Sequence, residues 1–205
     1  MSTGSLAASL RELPGPQGGK IPSLSGHERN PFFFNKNGKN FHDISLISGA
    51  DSDLDGRAVV TFDYNRDGFL DLAVCNANAP KLSIYQNQLG ELKAPGNFVM
   101  IRFIGGNQSA SPSETWSARD GYGCVVTASI GGLPLRLQHR CGTGYAAQSS
   151  ALMHLGLGEH PQIDRLEVRW PSGHKQAISN IKTGSLLTVH ETGKTEVQPY
   201  TAAPK

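Results

Sequence analysis

Oxygen-bearing side chains recur at alternate positions in the stretch Asp63-Tyr64-Asn65-Arg66-Asp67-Gly68-Phe69-Leu70-Asp71. Asp63, Asn65, Asp67 and Asp71 fall at loop positions one, three, five and nine, and Gly68 at position six permits a sharp turn. Alternate residues of a curled loop point inward, and a hard cation such as Ca2+ takes about six to eight oxygens at about 2.3–2.6 Å. These four side chains and the Phe69 carbonyl therefore make a candidate calcium site. Val74 stands at position twelve where an EF-hand has glutamate, and no helical pattern flanks the loop. Magnesium fits less well, because it keeps waters rather than accept an all-protein cage. An Asx-rich turn without metal is the alternative, since Asp, Asn and Gly favour turns on their own account. Upstream, Asp51-Ser52-Asp53-Leu54-Asp55-Gly56 repeats the first half of the pattern but has Val59 at the ninth position. It reads as a solvated acidic turn, with an auxiliary ion site as the alternative.

Other constellations carry less chemistry. Ser149 or Ser150, His154 and Asp164 supply the residue types of a hydrolase, but no G-x-S-x-G elbow surrounds either serine. His154 lies between apolar neighbours and reads as a structural histidine. The histidines show no H-E-x-x-H or comparable zinc spacing. Gly142-Thr143-Gly144 and Gly156-Leu157-Gly158 open no helix that would hold a phosphate, and read as turns. Trp170 and Tyr145 could stack on a sugar, but a tryptophan in a period-two pattern belongs to a core.

Composition bounds the class. The 205 residues are 38% apolar with 24 glycines and 12 prolines, too apolar for wholesale disorder and too punctuated for a helical bundle. The expected fold is all-β. Net charge is +2 with basic residues scattered among acids, so the sequence shows no basic stripe and nucleic acid is not an expected partner. No apolar run approaches the roughly 18 residues of a membrane helix. The N-terminus has neither a basic start nor an apolar stretch of the kind a secretory signal carries.

The elements that position the loop are short. Phe32–Phe34, Ala58–Phe62, Phe69–Cys75 and Leu82–Tyr85 read as strands of about one four-stranded sheet. Residues 91–96 read as a linker. Strands follow at Asn97–Phe103, Cys124–Ile130, Leu133–His139 and Leu152–Leu157. Leu166-Glu167-Val168-Arg169-Trp170 alternates with period two, which puts Leu166, Val168 and Trp170 on one face before a turn at Pro171-Ser172-Gly173, and Ser185–His190 is the last strand. Gly131-Gly132 suits a two-residue hairpin turn, for which positive φ is required. If Ile130 pairs with Leu133 across it, Cys124 faces His139 and Cys141 lies diagonal to it. A disulfide between Cys124 and Cys141 then needs the register to slip or bulge until the Cα atoms stand about 4.4–6.8 Å apart. The alternative is two buried free thiols, and Cys75 is expected to be buried and unpaired.

Asn30-Pro-Phe-Phe-Phe-Asn-Lys-Asn-Gly-Lys-Asn-Phe41, Asp55-Gly-Arg-Ala-Val59, Phe62-Asp-Tyr-Asn-Arg-Asp-Gly-Phe-Leu-Asp-Leu72 and Tyr85-Gln-Asn87 together resemble one FG-GAP/VCBS-type repeat of integrin-like β-propellers. Asn97-Phe-Val-Met-Ile-Arg-Phe103, Gly121-Tyr-Gly-Cys-Val-Val126, Gly142-Thr-Gly-Tyr-Ala-Ala-Gln-Ser-Ser150, His154-Leu-Gly-Leu-Gly158 and Leu166-Glu-Val-Arg-Trp-Pro-Ser-Gly173 resemble an ASPIC/UnbV domain, which follows such repeats in the cartilage acidic protein family and its bacterial relatives. The expected organisation is a disordered leader over 1–30, a calcium-bearing repeat built as a propeller-blade-like antiparallel sheet over 31–90, a small β-sandwich or barrel-like domain over 97–191, and a disordered tail over 192–205. The resemblance implies calcium in the repeat loop, an extracellular, periplasmic or cell-surface location, no catalytic activity, and adhesion or binding to a protein or carbohydrate ligand. An accessory role in an enediyne-type biosynthetic pathway is the alternative, and a hydrolase ranks third.

Overall fold

Runs of β-branched and aromatic residues, cut by Gly, Asn and Pro, leave the chain almost nothing but strands to form. The computed structural model describes residues 11–14, 20–23, 26–92 and 96–201, and the chain divides into two units, Met1–Val60 with Leu72–Tyr85 and Thr61–Asp71 with Gln86–Lys205. Among the described residues no helix is long and apolar enough to cross a membrane.

In the first unit, β1 (Arg11–Pro14) pairs antiparallel with β2 (Lys20–Ser23), within the stretch expected to be a disordered leader. β3 (Phe33–Lys36) pairs with β4 (Asn40–Asp43), and a single helical turn, α1 (Ser45–Ser48), follows. β5 (Gly56–Phe62), β6 (Asp71–Asn76) and β7 (Leu82–Tyr85) form a three-stranded sheet in that order. The expected four-stranded sheet is therefore split. The reason is local: Asn37 and Gly38 both take positive φ, and Gly38 N donates to Asn35 Oδ1 at 2.7 Å, so β3 turns back on β4 and spends its ladder there. Among the described apolar side chains of this unit only Ala50 and Val74 are buried, while Phe33, Phe34 and Phe41 lie exposed.

The second unit holds a β-sandwich. One sheet runs β10-β9-β12-β13, from β9 (Val125–Ile130), β10 (Leu133–Gln138), β12 (Gln162–Arg169) and β13 (Lys175–Lys182). The other runs β11-β8-β14-β15, from β8 (Asn97–Ile104), β11 (Met153–Gly158), β14 (Ser185–His190) and β15 (Thr195–Pro199), with β14 parallel to β8. Side chains of both sheets fill one core, among them Ile101, Val126, Leu155, Leu166, Val168, Trp170 and Leu187. The period-two face of β12 is thus buried as its sequence demands. Trp170 leads into the expected turn, closed by Gly173 N donating to Trp170 O at 3.0 Å.

Gly131 and Gly132, at φ 55° and 81°, close the β9–β10 hairpin with Ile130 opposite Leu133. The register does not slip: His139 N donates to Cys124 O at 2.8 Å, so Cys124 faces His139. Cys124 and Cys141 are both free, the first buried and the second exposed, which corrects the proposed disulfide. Burial pushes the Cys124 thiol up to about 12, with the charge of Glu191 adding to the effect. Cys75 is free but exposed rather than buried, because alternation along β6 turns the buried Val74 and Asn76 away from its side. The tail is also more ordered than expected. β15 pairs with β14 from Thr195↔Val189 to Pro199↔Ser185, and all its side chains are exposed, so backbone hydrogen bonds hold a strand that apolar periodicity does not mark.

Candidate metal loop and a buried carboxylate

The loop Asp63–Asp71 belongs to the second unit together with the sandwich. It is wound around its own amides. Asp63 Oδ1 and Asn65 Oδ1 each accept from Asp67 N at 3.2 Å, and Asp63 Oδ2 accepts from Gly68 N at 2.8 Å. Asp67 Oδ1 accepts from Phe69 N at 2.8 Å, and its Oδ2 accepts from Asn65 Nδ2 at 2.8 Å. Asp63, Asn65 and Asp67 are thereby gathered into one knot. Burial raises the Asp63 carboxyl, and the neighbouring Asp67 charge raises it further, against the lowering effect of the amide donors.

Asp71 is placed differently. It is 1% exposed, with Oδ2 accepting from Tyr64 N at 3.1 Å and Oδ1 from Asn87 N at 2.8 Å, so it ties the loop's beginning to the segment after β7. Among the described residues no group of three or more Asp, Glu, His or Cys side chains gathers as a metal cluster. The donor chemistry of Asp63, Asn65 and Asp67 nonetheless fits a hard cation. Each carboxylate oxygen has two lone-pair directions, and an amide hydrogen bond uses only one.

The loop is seated on the outer face of the β11-β8-β14-β15 sheet. Phe98, Met100 and Leu186 form a small apolar cluster there, with Leu70, Leu152 and Tyr200 against it. His154 Nε2 lies 2.9 Å from Gly68 O, and since a carbonyl can only accept, Nε2 carries the proton. The His154 ring stacks on Phe98 with centroids 5.8 Å apart, and Tyr200 meets Phe98 edge-on at 5.6 Å. The Tyr200 phenol is pushed up to about 12, first by burial and then by the charge of Asp63. Gly68 is required twice: its φ is +91°, and an added Cβ would sit 2.0 Å from a Phe98 ring carbon. Gly68→Ala is expected to cost roughly 1 to 3 kcal/mol in chemical denaturation. An unchanged midpoint would mean that the loop does not rest on Phe98.

The upstream acidic stretch is not a solvated turn throughout. Asp55 is buried at positive φ, with Oδ1 accepting from Glu28 N at 2.9 Å and Oδ2 from Asn78 Nδ2 at 2.7 Å, while Asp51 pairs with Arg29 at 2.8 Å. These carboxylates staple their own unit.

The residue types of a hydrolase are bonded elsewhere. Ser149 Oγ accepts from Thr61 N at 3.2 Å, Ser150 Oγ accepts from Leu152 N at 3.1 Å, His154 holds Gly68, and Asp164 Oδ1 accepts from Gln162 Nε2 at 3.4 Å. Trp170 is 2% exposed and cannot stack on a ligand, while Tyr145 is 82% exposed.

Sequence reasoning passed over Glu191. Its buried carboxylate accepts from Gly106 N at 2.7 Å, Ser117 N at 2.8 Å and Ser117 Oγ at 2.7 Å, and also from Ser172 Oγ. His174 Nδ1 stands 3.6 Å away. Burial works to raise this carboxyl, but the donors together outweigh it and hold it below its ordinary value. The glutamate lies between the serines and the histidine rather than beyond the histidine, so the order differs from that of a Ser-His-Asp triad, and the carboxylate braces the segments that carry Gly106, Ser117 and Ser172. No motif flags it, because its partners lie far away in sequence.

No curated protein matches the chain. Residues 114–196, from the loop after β8 to the start of β15, match the model of the family described as ASPIC and UnbV, so this part of the sandwich is similar to that family's domain.

Proposed function

We propose that the chain is a calcium-stabilised, non-catalytic binding module that works outside the cytosol. The supporting observation is the knot of Asp63, Asn65 and Asp67, two carboxylates and an amide oxygen held together by the loop's own N–H groups. The Asp67 charge already raises Asp63, and a hard cation would relieve that repulsion. Calcium bound by these three side chains would fasten the loop that covers the Phe98 face. The resemblance of residues 30–87 to an FG-GAP/VCBS repeat points the same way. With so few carboxylates the affinity should be weak, about 10⁻⁴ to 10⁻³ M, a range filled only where calcium is plentiful, as outside cells.

Calorimetry on the full chain should detect calcium binding in that range. Saturating calcium should raise unfolding free energy by about 1 to 3 kcal/mol over a chelator control. Asp67→Ala should remove both effects. Absence of calcium heat in the wild type at millimolar concentration would sink the reading.

A further inference from the structure

The sandwich has two outer faces, and they differ. That of the β11-β8-β14-β15 sheet is covered by the Asp63–Asp71 loop, whereas that of the β10-β9-β12-β13 sheet is open and basic. Register places these charges. Arg165, Glu167 and Arg169 alternate with the buried Leu166 and Val168, so they point outward. Arg169 stands directly opposite Lys175 on β13, and Glu167 opposite Thr127 on β9, which in turn faces Arg136 on β10. The side chains line one open groove across the four strands.

Adjacent strands run only about 4.7–4.9 Å apart, so like charges set opposite one another repel. Arg165 is neutralised by Glu167, with Nε 3.0 Å from Oε1. Among the described residues no acid pairs with Arg136, Arg169 or Lys175. Three uncompensated cations therefore share one groove. Residues scattered in sequence thus make the basic surface that the sequence does not show.

We propose that this groove binds a linear acidic polysaccharide. Arginine forks match carboxylate and sulfate groups bidentately. Glu167 at the centre, paired with Arg165, leaves a break in the positive charge that a continuous polyphosphate would have to cross, yet its carboxylate can accept hydrogen bonds from the neutral hydroxyls that separate the charges of an acidic glycan. Thr127 beside it can both donate and accept. The residues lining the groove include no aromatic side chain on which a nucleobase could stack. The groove is remote from Asp63–Asp71 along the chain and lies on the other sheet, so the inference stands independently of calcium.

The test uses the full chain, with heparin as the sulfated probe, alginate as the carboxylated probe and neutral dextran as the blank, titrated over a salt series with and without chelator. At least one acidic glycan should bind and dextran should not. The triple variant Arg136→Gln, Arg169→Gln, Lys175→Gln should weaken binding by about 100-fold or more and reduce the salt slope by about one for each cation removed. It should melt at or above the wild-type temperature, since the Arg169–Lys175 repulsion is gone. A charge-matched control, Lys36→Gln, Lys39→Gln, Arg57→Gln, should bind as the wild type does. Equal loss in the control would reduce the effect to net charge and overturn the proposal. So would failure of both glycans to bind at low salt, or duplex DNA or polyglutamate binding at least as tightly as the glycans. Loss of glycan binding on chelation alone would overturn the claim of independence, whereas glycan binding without calcium heat would leave the groove standing and remove only the calcium reading.

Discussion

Trp170→Ala is expected to lower the free energy of unfolding by roughly 3 to 5 kcal/mol. The indole lies just after β12, 2% exposed, and meets Phe103 edge-on at 6.0 Å between centroids. An added Cβ at Gly121 would come within 3.2 Å of the indole, so the packing on that side is close and has little room to collapse into the void. Among the described residues the buried Trp170 indole N–H has no partner, so its removal returns a little of the cost. Urea denaturation followed by far-UV circular dichroism measures the loss, and Trp170→Phe should recover more than half of it. A cost below about 1 kcal/mol would mean that the ring is not part of the core.

Glu191→Ala is expected to cost a similar amount, roughly 3 to 5 kcal/mol, for a different reason. Removing the carboxylate strands the donors Gly106 N, Ser117 N, Ser117 Oγ and Ser172 Oγ where little water can replace it. Glu191→Gln keeps one acceptor but turns an amide NH2 toward donors, so it should fall between wild type and alanine. The carboxyl is held below its ordinary value of 4.5 when folded. Its contribution is therefore complete above that value and is lost as pH falls through the lower folded value. Acid titration of stability should show the loss beginning below about pH 4.5 in the wild type and reduced in Glu191→Gln. Parallel acid profiles for the two proteins would remove Glu191 from this role.

Short-range features of the chain determined much of the sandwich. Leu166-Glu167-Val168-Arg169-Trp170 could face the core in only one way, because side chains alternate along a strand. Gly131-Gly132 pinned the hairpin and, with it, Cys124 opposite His139, because that turn type demands two positive φ angles. The metal-free Asx-rich turn, which the sequence offered as the alternative to a calcium site, is likewise legible at Asp63 and Asn65, because their side chains bond amides two to five residues on.

What the sequence left open depends on partners that alternation and turn chemistry do not encode. β13 and β15 are largely polar or exposed and exist as strands because β12 and β14 offer open hydrogen-bonding edges. Asp71 carries the right type at the right spacing, yet Asn87 N reaches its carboxylate from 16 positions away and engages it. Glu191 looks like the polar end of a strand, and only folding brings Gly106 and Ser117 to it across 85 and 74 positions. The basic groove arises the same way: Arg136, Arg169 and Lys175 come from three strands, and only sheet register, set by the apolar face each strand buries, brings Lys175 opposite Arg169 and Arg136 onto the same outer face.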